Sequence, residues 1–567
     1  MLNESTHDAA SSVLDNAVVA SFHAEEFELP GLVSGGEAGA NPGAFATTPS
    51  STYQYVAQSS LQGVGAGADA LMSGSKWSGV DSATARTVVT YSFMNAQSAF
   101  SYSGQDQFTS TLGAFAEADK TLTRSLLAKI AAVCNVEFVE VADNASECGV
   151  LRYGYSQQPN TLNYAGFAFF PSSSAMGGDV WIGANQAGAS WDYYRPNLIL
   201  HETLHAIGLK HPFDAGIVLS TSQDIIPNTV MSYSTVAGGS AGWMSAYPDQ
   251  PMPLDVAALQ YLYGAAPSHA GDTVYDLSAP QFAGFSTLWD SGGNDTLDAS
   301  HLTHAVTLDL RAGVMSDIGN SVNAMARAVG GATIKTTYTN TLSIASGALI
   351  ENATGSAYAD RIAGNDAANT IAGGDGDDRL EGRGGDDTLD GGQGMDIAVI
   401  DAARAGYSIA KSGAGYVVAG GATGTDTLTG IERIAFTDAH VALDLDGHAG
   451  VAAKIIGAVL GGSYVHDAAY MGLGIAALDD GMSPTSLMQA ALDARLGPVH
   501  TSHDVVELLL HNVFDLTPSQ DYIDSYAHLV DNGTFTQASL GVLAMEQDMN
   551  LAHIDLVGLA ATGVEYA

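Results

Sequence analysis

The sequence predicts a multidomain protein: an α/β domain, then an all-β domain built as a parallel roll, then an all-α C-terminal domain. Three observations predict it. The chain has 567 residues, too many for one hydrophobic core and enough for about three or four domains. Residues 355–399 repeat every nine positions. A helical period of apolar residues fades near 266 and returns near 450.

Composition narrows the function. The 19 Lys and Arg stand against 61 Asp and Glu, a formal charge of −42. Only 14% of residues are charged and 46% are hydrophobic, so the acid excess is not that of a disordered tail. Such a chain will not hold a nucleic-acid backbone non-specifically and has no basic patch for anionic lipid. Acids in excess recruit hard cations, above all calcium. Two cysteines exclude a disulfide-dense scaffold and a thiolate zinc cluster. Cys134 and Cys148 flank an expected strand and either pair or serve as two small buried thiols.

Four zones follow. Residues 1–66, rich in Ser, Ala and Gly, read as an arm or pro-segment, without the basic n-region or apolar core of a Sec-type signal. Residues 67–265 read as α/β: strands at Arg86–Phe93, Val136–Val141, Gly166–Phe170 and Asp179–Ile182, and a helical period over Phe108–Val133. Residues 266–448 carry short strands and Gly-Asx turns. Residues 449–567 read as all-α. The longest apolar run, Ala449–Gly462, is short and contains Lys454, so no membrane span is expected.

From Gly355 five blocks align: GSAYADRIA, GNDAANTIA, GGDGDDRLE, GRGGDDTLD and GGQGMDIAV. Each opens on Gly, has Asp or Asn sixth (Asp360, Asn369, Asp378, Asp387, Asp396) and Ile, Leu or Ala eighth. WDSGGNDTLD places Asp295 and Leu297 in the same relation. The glycines let the chain turn tightly enough to aim carbonyls at one point, and the Asp adds a carboxylate. The eighth residue faces inward from a three-residue strand. Ten acids against three arginines in 355–399 would repel one another when stacked, and calcium removes that cost. The candidate calcium positions are Gly373, Asp375 and Asp378; Gly382, Gly384 and Asp387; Gly391, Gln393 and Asp396; and Asp360. A flexible linker would have no reason to keep an apolar residue at every ninth position.

HETLHAIGLKHP at 201–212 is the second signal. His201 and His205 share one helix face, where two imidazoles can hold one metal. Pro196 suits the first turn, and Leu200, Leu204 and Ile207 hold the opposite face. Gly208 breaks the helix and swings His211 back to the same metal. Three neutral imidazoles with a fourth position open describe a catalytic zinc site rather than a structural one. Glu202 is placed to act as general base on water and pass its proton to a leaving amine. By chance the extended pattern would arise about once in a million on this composition.

HExxHxxGxxHP with NTVMSYS downstream resembles the metzincin endopeptidases, and His211-Pro212 resembles their serralysin branch. That resemblance makes Met231 the floor of the metal site and Tyr233 an additional zinc ligand that moves to hydrogen-bond the developing oxyanion. The nine-residue blocks resemble the GGxGxDxUx motif of repeats-in-toxin proteins, whose β-roll binds rows of calcium. The first two blocks depart from it, lacking a fourth glycine and carrying Asn369, so their sites are expected to be weak or empty. LMSGSKWSG with VVTYSF, GFAFFPSSSAMGGDVWIG and PMPLDVAALQYLYGA are similar to the family's domain entry, substrate-side edge strand and last catalytic helix. DTVYDL with TLWDSGGNDTLDAS is similar to its bridge to the roll, and GTDTLTGIERIAFTDAHVALD to the segment that closes such rolls. Leu204 stands where most serralysins have Gly.

The resemblance implies a secreted zinc endopeptidase of a Gram-negative bacterium, acting on extracellular or cell-surface proteins. It implies export by an ABC-type (type I) exporter and a roll that folds outside, where calcium is millimolar. LLLHNVFDLTPSQDYIDSYAHLV resembles a small helical domain appended to secreted repeat proteins, read either as a passive cap or as a secretion or surface-docking module. The rival reading is a non-enzymatic calcium-binding surface or adhesion protein with a vestigial protease domain. Completeness of His201, Glu202, His205, Gly208, His211, Met231 and Tyr233 discriminates against it.

Overall fold

The computed structural model describes residues 53–56, 67–100, 106–187, 193–239, 242–328, 330–421 and 423–567. The arm expected at 1–66 lies outside the described residues except for Tyr53–Val56. The chain divides into two compact units. One comprises residues 1–273, 279–293 and 312–349, the other 274–278, 294–311 and 350–567.

In the first unit, strands β1 (Thr87–Phe93), β2 (Val136–Glu140), β3 (Leu151–Ser156), β4 (Gly166–Ala168) and β5 (Asp179–Gly183) form one sheet in the order β2-β1-β3-β5-β4. All pairs are parallel except β4 on β5. The inner strands are buried along nearly their whole length, as parallel strands covered on both faces must be. Helix α1 (Glu117–Val133) buries Leu126, Leu127 and Ile130. The helical period over Phe108–Val133 is interrupted. A short helix ends at Thr109, and Gly113 then exchanges both backbone hydrogen bonds with Tyr155 at 2.8 Å. The apolar spacing there mixes helix with extended chain. Helices α2 (Arg195–Ala206) and α3 (Pro253–Tyr263) complete the α/β part.

A long antiparallel hairpin, Met315–Arg327 with Thr333–Ile344, belongs to the same unit, in a stretch expected to carry only short strands. Trp243–Met244 pairs with it, and Thr235 Oγ1 donates to the Met325 carbonyl at 2.8 Å. Cys134 and Cys148 are both free thiols, and Cys134 is fully buried.

The second unit contains the repeats. Asn352–Thr354, Thr370–Asp375 and Thr388–Gln393 pair in parallel along one face. Thr307–Asp309, Arg361–Ala363, Arg379–Glu381 and Ile397–Val399 do so along the other. Ile371 pairs with Leu389 and Ile362 with Leu380. One full turn is therefore two nine-residue blocks. The eighth-position residues Ile362, Ile371, Leu380, Leu389 and Ala398 are all at most 2% exposed. Helices follow from His448 to Thr562. The apolar run forms helix His448–Leu460, buried nearly all round, its Ala and Gly residues allowing close packing against Met471, Ile475 and Ile554. The region is not wholly helical. Gly563, at φ 77°, turns the chain so that Val564–Tyr566 pairs antiparallel with His440–Ala442. Three residues are too few to betray a strand by alternation. Among the described residues, no helix is long and apolar enough to cross a membrane.

Candidate metal centre and active site

Pro196 opens α2 and Ile207 closes it. Gly208 adopts φ 113°, and a Cβ there would stand 2.3 Å from the Ser75 carbonyl, so only glycine fits the reversal. Lys210 N–H then donates to the Leu71 carbonyl at 2.7 Å, and the chain returns His211 toward α2.

One ligand atom from each of His201, His205 and His211 lies within 4.8 Å of the others. The Nε2 atoms of His201 and His205 stand 3.2 and 3.0 Å from that of His211. Their other nitrogens are held. His201 Nδ1 donates to the Val230 carbonyl at 2.8 Å and His205 Nδ1 to the Leu209 carbonyl at 2.7 Å. His211 Nδ1 faces Asp214 Oδ2 at 3.1 Å. With Nδ1 occupied, three Nε2 lone pairs converge on one point and cannot bond one another. A cation fits that donor set, and three imidazoles with an open side suit zinc. Burial, with His211 adding to it, pushes His201 down to about 3 and His205 well below the usual histidine range, so both stand neutral and ready to ligate.

Glu202 is buried beside His201, and burial pushes its carboxyl up to about 8; a cation held by the imidazoles works against that shift. Tyr233 OH is 2.8 Å from His211 Nε2, within reach of the same point. Burial drives its phenol pKa upward. Met231 is fully buried in the turn whose Val230 carbonyl orients His201. Leu204 is fully buried as well.

Sequence reasoning missed the residues that hold these groups. Asp255, fully buried on α3, accepts from Thr229 Oγ1 at 2.6 Å and from the N–H groups of Val230 and Met252 at 2.8 and 2.9 Å, fixing the Met231 turn. Lys210 Nζ donates to the carbonyls of His211, Asp214 and Ile217. Asp214 was findable three residues past His211; nothing local marks Asp255.

The calcium candidates fall into two groups. Asp378, Asp387 and Asp396 are buried, and among the described residues the Oδ2 of each has no hydrogen-bond partner. Burial, helped by neighbouring carboxylates, pushes Asp378 up to about 7 and Asp387 and Asp396 to about 6. A Cβ on Gly373, Gly382 or Gly391 would stand 2.2, 2.1 or 2.6 Å from these oxygens. Glycine at these positions thus lets the carboxylates close against the backbone, and their bare buried oxygens are donors that calcium fits. Asp375 and Gln393 end the strands 370–375 and 388–393, and Gly384 lies in the intervening turn. Asp360 differs: it accepts from Val306 N–H and from Ser356 N–H and Oγ. Asn369 turns its amide to the Glu351 carbonyl at 2.8 Å.

Comparison with known proteins finds relatives over part of the chain. The family described as Peptidase M10 serralysin C terminal matches residues 262–427. Serralysin G of Dickeya chrysanthemi is 32% identical over 320 residues, covering 50% of this chain and 61% of that protein. Serralysin of Proteus mirabilis is 31% identical, covering 41% of this chain and 53% of its own length. Metallopeptidase AprA of Pseudomonas marginalis is 32% identical, covering 41% and 50%. The chain spans about half to three fifths of the length of these curated relatives. Over these spans the chain is similar to serralysins.

Proposed function

We propose that the protein is a secreted zinc endopeptidase whose calcium-stabilised roll folds after export. The observation that carries this reading is the convergence of three Nε2 lone pairs beside a buried glutamate, on a helix that packs against the edge strand β4. Residues 67–265 supply a metzincin-type catalytic domain, 266–448 a roll domain and 449–567 a helical domain. The long hairpin at 315–344 buttresses the chain beyond Tyr233.

Strand β4 lies at the edge of its sheet, so an extended peptide adds there as one more strand. Zinc held by His201, His205 and His211 would polarise the scissile carbonyl and make water acidic enough to attack. Glu202 accepts the proton of the attacking water and delivers it to the leaving amine. The peptide C–N bond breaks as the new C–O bond forms, with no net proton change on the enzyme. Tyr233 OH donates to the carbonyl oxygen as it gains charge. Protein or peptide substrates, an ABC-type exporter and an extracellular or cell-surface location in a Gram-negative bacterium complete the reading. The helical domain serves as cap or docking module.

The test is hydrolysis of casein by the purified chain. Loss on adding a zinc chelator and return on restoring zinc is expected; hydrolysis indifferent to the chelator contradicts the reading.

A further inference from the structure

The nine-residue spacing ends at 399, but the carboxylate ladder continues. Each sixth-position side chain accepts the N–H of the residue one turn back. Asp378 accepts from Asp360 at 2.7 Å, Asp396 from Asp378 at 2.8 Å, and Asp387 from Asn369 at 2.8 Å, each 18 residues apart. Asp387 N–H then donates to Asp426 Oδ1 at 3.2 Å, across 39 residues. Asp396 N–H donates to Glu432 Oε2 at 2.9 Å, across 36 residues. Strand pairing agrees, with Leu389 opposite Leu428 and Ala398 opposite Ile434. Asp426 and Glu432 therefore hold the sixth position of two further blocks, one on each face of the roll. The hairpin Tyr407–Ser412 with Gly415–Gly420 interrupts the spacing and hides them from a repeat search.

A second observation points to a ligand. Asp387 and Asp396 are 1% and 0% exposed, and the Oδ2 of each has no partner among the described residues. The Asp426 carboxylate, itself buried, lies against that of Asp387. Two buried carboxylates in contact repel unless a proton or a cation lies between them, and a second oxygen left bare on Asp387 favours the cation. Any Cβ on Gly382 or Gly391 would collide with Asp387 or Asp396, so glycine there lets these carboxylates pack against the backbone, and the Gly430 carbonyl lies against Gly391.

We propose that Asp426 and Glu432 are calcium ligands that close the two ion rows, Asp426 with Asp387 and Glu432 with Asp396. This rests on the calcium-bound roll proposed above and extends it past the recognisable repeat. The roll then ends on sites whose ligands come from both sides of the inserted hairpin, so calcium ties that insertion to the repeats.

The test is calorimetric calcium titration of the calcium-stripped, full-length chain, with ions counted by native mass spectrometry. Asp426→Asn and Glu432→Gln keep the oxygen that accepts the N–H and remove only the charge. Each variant should lose one calcium per chain, or need at least ~10-fold more calcium for its last ion, and raised calcium should restore the wild-type circular dichroism. Asp386→Asn alters an exposed neighbour that accepts from Thr425 N–H and should keep the wild-type count. Wild-type counts and midpoints in Asp426→Asn and Glu432→Gln would overturn the proposal. So would a loss of structure that no calcium concentration rescues. A wild-type chain that binds no calcium would overturn the roll reading itself, and this proposal with it.

Discussion

Gly166 stands against Glu202: a Cβ on Gly166 would lie 2.6 Å from Glu202 Oε1 and 2.7 Å from its Cγ. The edge strand and the metal helix thus meet at the carboxylate assigned to proton transfer. Gly166→Ala should displace that carboxylate by a fraction of an ångström to an ångström. Turnover should fall by about 10²-fold, the scale of such misplacements, with zinc content and melting temperature near wild type. Unchanged kcat in a folded Gly166→Ala protein would mean that this contact does not position Glu202.

Asp255 carries a pH signature. Burial raises its carboxyl from 3.8 to about 6 in the folded chain. Between these values the folded state binds more protons than the unfolded one. Its contribution to stability therefore falls as pH rises from about 4 to about 6 and is flat above. Asp255→Asn should abolish that slope. It should also cost roughly 1–3 kcal/mol, since an amide turned either way offers less to the Thr229, Val230 and Met252 donors. Urea unfolding of both proteins at several pH values checks this.

Calcium removal should unfold residues 355–399, since cation binding there is folding energy. Far-UV circular dichroism should change on adding a calcium-selective chelator; an unchanged spectrum counts against the roll. Asp378→Ala and Asp387→Ala should raise the calcium requirement more than Asp360→Ala. The first two lose a bare oxygen, whereas Asp360 is already satisfied by Val306 and Ser356.

Truncation near residue 450 should leave zinc binding and peptide hydrolysis intact while weakening the roll. It removes Val564–Tyr566 from the His440–Ala442 edge and Asp479 from its ion pair with buried Arg433. The calcium midpoint of the truncated chain, measured by circular dichroism, should rise. An equal loss of peptidase activity would show that the helical part shapes the active site.

What the sequence made legible is what fixed spacing encodes. His201, Glu202, His205, Gly208 and His211 sit within one helix and one turn, so their geometry follows from local rules. The repeats encode their own pairing, because an eighteen-residue turn is two blocks of one pattern. Illegible were the contacts made across the chain. Asp255 reaches the Met231 turn from another helix, Gly166 meets Glu202 from another strand, and Asp426 joins the ladder only after the hairpin closes. The Phe108–Val133 period misled because Gly113 is drawn into pairing with Tyr155, a tertiary bond that overrides local propensity.

The central claim is that Glu202 moves protons and holds no metal. Zinc per chain by mass spectrometry, measured beside peptide turnover, tests it most directly. Glu202→Ala should keep one zinc and lose ~10²–10⁴-fold in turnover. His205→Ala should lose the zinc as well, and Tyr233→Phe should keep zinc with reduced kcat and little change in KM. Glu202→Ala protein that binds zinc and cleaves peptide at the wild-type rate would contradict the mechanism.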